Sequence, residues 1–218
     1  MKPNGLSIIL IVLLLVFALP AAAQEANTAN ETLLGATSPF EDMVDLALAR
    51  NDAGITKALA DATRQSAAVK AVLSTAAASR FDKQLQTLHK AALGKEYQTL
   101  ALTAAEVFRL LIDGVRTSHL KVPKEVSLLD YSGFKLRALA IASRPDWNAM
   151  RKIAADASAW WHTIEPSVSD KALRDACSST VAGLREATKD ENLPMLHLAV
   201  QIDLDLVDLL EQHFEQKR

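Results

Sequence analysis

From Pro39 onward, apolar side chains return every three or four residues, and only short breaks interrupt them. That period is the spacing of one face of an α-helix, and an amphipathic helix must bury its stripe against another helix. Ile55, Leu59, Ala62, Ser66, Val69 and Leu73 mark such a stripe in residues 55–73. Phe81, Leu85, Leu88 and Ala92 repeat it in 81–93, and Tyr97, Leu100, Ala104, Val107, Leu111 and Val115 in 96–115. A loop over 116–125 holds Pro123, which cannot continue a helix. Further helices are expected over 126–143 (weakened at Gly133), over 145–164 with Pro145 at its start, and over 169–188 capped by Ser169 or Asp170. No run of β-branched residues competes, and 7 glycines in 218 residues leave little to break helices.

The stretch LHLAVQIDLDLVDLLEQHF, residues 196–214, alternates polar and apolar at its centre as a strand would. It is too long for an ordinary strand, so a helix starting near Leu193 is expected. At about 100° per residue, His197, Gln201, Asp205, Asp208 and Gln212 form one polar stripe. Asp203 falls instead among Leu196, Val200, Val207, Leu210 and Phe214. A carboxyl there needs a partner, a seam open to water, or its proton.

The fold class that follows is all-α: an antiparallel helical bundle of about eight helices, in two similar four-helix halves produced by internal duplication. Residues 46–62 match 139–157 with two inserted residues, and 95–111 align with 191–207 at an offset of 96. In that register Leu100 pairs with Leu196, Ala104 with Val200 and Leu111 with Val207, so core positions coincide. The expected boundaries are a signal peptide over 1–23, a flexible polar tail over 24–38, a first half over 39–116, a linker over 117–125 and a second half over 126–218.

The signal peptide rests on Lys2, an apolar run over 8–19, and Ala21 and Ala23 placed for cleavage before Gln24. The run is shorter than the roughly 20 residues that span a bilayer. Export to the periplasm or the exterior is therefore expected, with no membrane span in the cleaved chain. Cleavage removes one positive charge and leaves 23 basic against 26 acidic side chains, a formal −3. With no basic cluster, nucleic acid is not an expected partner. Cys177 is the one cysteine, so no internal disulfide is available, and its helical position suggests a buried, inert thiol.

No C-x-x-C-H, Cys/His zinc array, H-E-x-x-H, glycine-rich phosphate loop, G-x-S-x-G or Glu-x-x-His pair occurs in the chain. The expectation is a non-catalytic binding or interaction protein whose partner is a small molecule or another exported protein, with no cofactor. Its candidate ligand site lies between the halves, at Trp147, Trp161, Tyr131 and Asp203, where aromatic faces could hold an apolar or cationic molecule. The same tryptophans could equally form a bulky core layer. The alternative is a bundle that handles a transition metal or haem through His197, Met195, His162 or Met150. Against it, Met195 and His197 diverge by about 200° on one helix. His162, one turn from Glu165, sits at a helix end where a histidine needs no ligand.

Overall fold

The computed structural model describes residue 24, residues 26–118 and residues 120–216, and among these there is no strand. Among the described residues, a helical segment over 26–35 is followed by eight further α-helices: α1 Ser38–Leu48, α2 Asp52–Val72, α3 Thr75–Gly94, α4 Tyr97–Gly114, α5 Lys124–Ala140, α6 Trp147–Ile164, α7 Lys171–Lys189 and α8 Leu193–Gln216. A 3₁₀ turn, Glu165–Ser167, follows α6 at Pro166. The expected signal peptide lies outside the described residues.

Short polar side chains set the helix starts. Asn51 accepts from the Gly54 amide, Ser74 from Ala77, Asp146 from Ala149, and Asp170 from Ala172 and Leu173. Each supplies an acceptor to amides that have no partner within the helix. Left-handed residues turn the chain at Arg50 (φ 50°), Lys95 (φ 53°) and Glu191 (φ 54°).

One sequence expectation changes here. Residues 26–35, expected as a flexible tail, are helical. Ala26 and Leu33 are buried, and Asn30 donates to the Arg116 carbonyl and accepts from the Arg116 amide, both at 2.8 Å. The segment is polar and aperiodic, so these long-range contacts define its order and local patterning does not. Helix α5 runs through Gly133 without a break. A Cβ there would come within 2.6 Å of Leu204 Cδ2, so the glycine lets α8 approach closely.

The packing follows two rings. Helix α1 packs on α2 and α4, α2 on α3, and α3 on α4; likewise α5 packs on α6 and α8, α6 on α7, and α7 on α8. The halves meet where α5 lies against α4 and α1. Phe108 and Phe134 cross that junction edge to face at 5.4 Å.

The apolar core does not divide at the linker. One cluster takes in the first ring together with Tyr131, Met150, Leu184 and Leu196 of the second. The other lies within the second ring, around Leu129, Trp161, Cys177, Val207 and Phe214. No helix among the described residues is long and apolar enough to cross a membrane.

Candidate functional site

A cleft of about 430 Å³ opens where α1, α4, α5 and α8 come together. That is within the ordinary range for small-molecule pockets. Phe108 and Ile112 of α4, Val115 just past its end, and Leu120 and Val122 of the connecting loop supply its apolar lining. Glu41 of α1, Asp130 of α5, and Asp208, Glu211 and Glu215 of α8 bring five carboxyl groups to it. Lys121 and Lys124 also line it, but Lys124 pairs with Asp113 at 3.4 Å.

Burial and the charges gathered in the cleft raise the proton affinity of three of these groups, Asp130, Glu41 and Glu211. Asp130 is pushed well above the usual carboxylate range, first by burial and then by the charges of Glu41, Glu211, Asp203 and Asp208. It is half-buried and open to the cleft. Burial also raises Glu41, against a hydrogen bond from Thr37, with Asp42 and Asp208 adding to the rise. Glu211 rises through burial and then through Asp208, Glu41 and Glu215. Among the described residues, no ion pair reaches any of the five, whereas other carboxylates pair with lysine or arginine at Asp45, Asp82, Glu106 and Asp156. Self-repelling carboxyl groups in a cleft are unfavourable for folding, and such arrangements concentrate at functional sites.

Asp203 lies deeper, at 4% exposure, beside the cleft and not on its lining. Its hydrogen-bond partner is the Ser132 hydroxyl at 3.5 Å, and that hydroxyl also donates to the Leu129 carbonyl at 2.7 Å. The shorter bond takes the one proton the hydroxyl owns. Burial consequently drives Asp203 up to about 7, opposed only by Ser132. The neighbouring Cys177 thiol rises to about 12, through burial and then through the Asp203 charge. It is therefore a poor nucleophile.

The structure does not bring the other aromatic candidates together at the cleft. Tyr131 is buried in the seam between halves, where its hydroxyl donates to Glu106 at 3.0 Å. The Arg109 guanidinium lies over the rings of both Tyr131 (5.2 Å) and Trp160 (5.1 Å). Trp160, and not Trp161, is thus the aromatic partner of Tyr131. Trp161 turns into the second core cluster and donates from Nε1 to Ser178 Oγ at 3.0 Å. Trp147, half-buried, packs against the first cluster. Helix α6 spans both clusters, so two tryptophans on one face end in different layers.

The four metal or haem candidates also sit apart. Met150 is fully buried in the first cluster, while Met195 and His197 are exposed on α8. His162 is exposed, 3.9 Å from Glu165. Among the described residues, no hydrogen bond or ion pair joins any two of these four. No three His, Cys, Asp or Glu side chains there converge on a metal-sized point.

Sequence reasoning passed over Asp208, which it placed on a solvated stripe, and did not weigh Glu41, Asp130, Glu211 or Glu215. One signal was available. Asp208, Glu211 and Glu215 stand three and four residues apart, with no Lys or Arg between them, and like charges at that spacing destabilise a helix. No protein-family model matches the chain, and no curated protein or solved structure is significantly similar to it.

Proposed function

We propose that this is an exported, non-catalytic binding protein, made of two duplicated antiparallel four-helix units, that holds a small ligand in the cleft at their junction. The observation that carries this reading is the junction cleft itself, an apolar pocket with five carboxyl groups left without cationic partners among the described residues.

Helix positions favour duplication. Helices α3 and α7 begin 96 residues apart, at Thr75 and Lys171, and so do α4 and α8, at Tyr97 and Leu193. The left-handed turn residues Lys95 and Glu191 keep the same spacing. Both rings also have the same neighbour pattern. Short connections, such as Leu73–Ser74 between α2 and α3, favour antiparallel neighbours.

A binding role is favoured over catalysis by the surroundings of the potential nucleophiles. The hydroxyl–imidazole contacts Thr63–His89 (3.2 Å) and Ser169–His213 (3.5 Å) lie off the cleft, and no described carboxylate hydrogen-bonds either ring.

The test is a thermal-shift screen of the purified chain against small molecules, repeated on Ser127→Trp. Ser127 is a half-exposed cleft residue whose enlargement fills the cavity without entering the core. Ligands should raise the melting temperature of the wild type and not of the variant, while circular dichroism shows both folded. Hits that stabilise both equally would refute the cleft as the site. A Soret band or stoichiometric metal in the preparation would move the assignment to the metal or haem alternative. Export is tested separately, by N-terminal sequencing of the extracytoplasmic protein, which should begin at Gln24.

A further inference from the structure

Resting on the cleft being a ligand site, the geometry points to its ligand class: we propose that it binds an aliphatic polyamine. Ammonium groups would pair with Asp130, Asp208, Glu211 and Glu41, and methylene spacers would lie against Phe108 and Ile112.

Three observations lead to this class. The carboxyl groups come from three helices (α1, α5 and α8) and face one space. Asp130 is half-buried, lines the cavity and makes no hydrogen bond or ion pair among the described residues. A half-buried carboxyl among other acids is costly unless a cation arrives to meet it. Next, the carboxyl groups are dispersed. No three described acidic, imidazole or thiol groups converge closely enough to hold one metal ion. A compact divalent cation needs six or more oxygens close around one point, whereas an extended polycation needs carboxylates at intervals. Finally, the space between the acids is lined by Phe108, Ile112 and Leu120, which would repel a hydrated ion but suit a hydrocarbon spacer.

The two lysines of the cleft do not supply this cation. Lys124 is drawn to Asp113, and Lys121 is exposed on the loop. An aliphatic polyamine matches a cavity whose walls carry both acid and hydrocarbon. Its binding would also relieve the repulsion that raises the proton affinities of Asp130, Glu41 and Glu211.

The experiment is titration calorimetry of the purified chain with spermidine, alongside hexylamine, Mg²⁺ and a lysine-rich peptide. Spermidine should bind at one site per chain and weaken as salt is added. It should bind more tightly than hexylamine, which carries a single charge. Asp130→Asn should weaken spermidine about tenfold, the loss expected for one charge-assisted contact. Its melting temperature without ligand should be equal to or above that of the wild type, because a repelling charge is gone.

Spermidine that fails to bind, or that binds Asp130→Asn equally well, overturns the proposal. Mg²⁺ binding at equal strength would make this a metal-ion site, and a tighter lysine-rich peptide would make it a protein interface; either result also overturns it. If spermidine fails while a ligand of other chemistry binds and is blocked by Ser127→Trp, the cleft remains a ligand site and only the polyamine falls. If no ligand is blocked by Ser127→Trp, the binding-site reading falls with it.

Discussion

Replacing Asp203 with asparagine should make the protein more stable at neutral pH, although it removes a buried polar group's charge and keeps its shape. Asp203 is buried beside a hydroxyl committed to another acceptor, and its carboxyl is raised to about 7 from an ordinary 3.8. The folded state therefore binds this proton more tightly than the unfolded chain does. The resulting stability is fully present below the unfolded value near 3.8, declines as pH rises, and is lost by the folded value near 7. About three pH units at 1.36 kcal/mol each give a ceiling of about 4 kcal/mol. Asparagine cannot ionise, but it brings an amide with donors to satisfy, at a cost of about 1–3 kcal/mol. The net expectation is about 1–3 kcal/mol of added stability at pH 8 and a loss of about 1–2 kcal/mol at pH 4. Urea unfolding followed by circular dichroism at pH 4, 6 and 8 would measure it. The difference between variant and wild type reports Asp203 together with its coupling to Asp130, whose proton affinity its charge helps to raise, while carboxyl groups not coupled to it cancel. A difference that stays constant from pH 4 to 8, or an Asp203→Asn protein less stable at pH 8, would refute this account.

Other perturbations test separate parts of the structure. Cys177 should react slowly with an aromatic disulfide reagent at pH 8 in the folded protein and rapidly in urea, because its thiol is buried and raised to about 12. Gly133→Ala should destabilise by about 1–3 kcal/mol in urea titration, since the new methyl meets Leu204 at 2.6 Å and must displace it. Asn30→Ala should cost about 1 kcal/mol and speed hydrogen exchange at the Arg116 amide, showing that residues 26–35 belong to the folded unit. Tyr131→Phe should cost about 1 kcal/mol by removing the bond to Glu106, with Arg109 still stacked on the ring. A Tyr131→Phe protein as stable as wild type would show that this seam contributes packing alone.

Much of the architecture is legible in the residue order. A three-to-four-residue apolar period is a property of neighbours along the chain, so it marks helices α2 to α8 without knowledge of their partners. Leu193 as the start of α8, a cap at Ser169 or Asp170 and the place of Asp203 on the apolar face follow from the same local geometry, while the choice of Asp170 and the burial of Asp203 come from the structure. Caps and helical projections involve residues one or two turns apart, and these stay together whatever the tertiary fold.

Tertiary structure alone decides what depends on which faces of separate helices meet. Residues 26–35 are helical because Asn30 and Leu33 find partners far along the chain, and their own pattern carries no such instruction. Trp147 and Trp161 share a face of α6 yet enter different core layers, because the helix outlasts either cluster. The cleft depends most on these contacts. Asp208 lies on a stripe that reads as solvated, and Glu41 and Asp130 are distant in sequence. They form one acidic pocket only when α1, α5 and α8 converge at the junction, and their mutual repulsion exists only once that packing has formed.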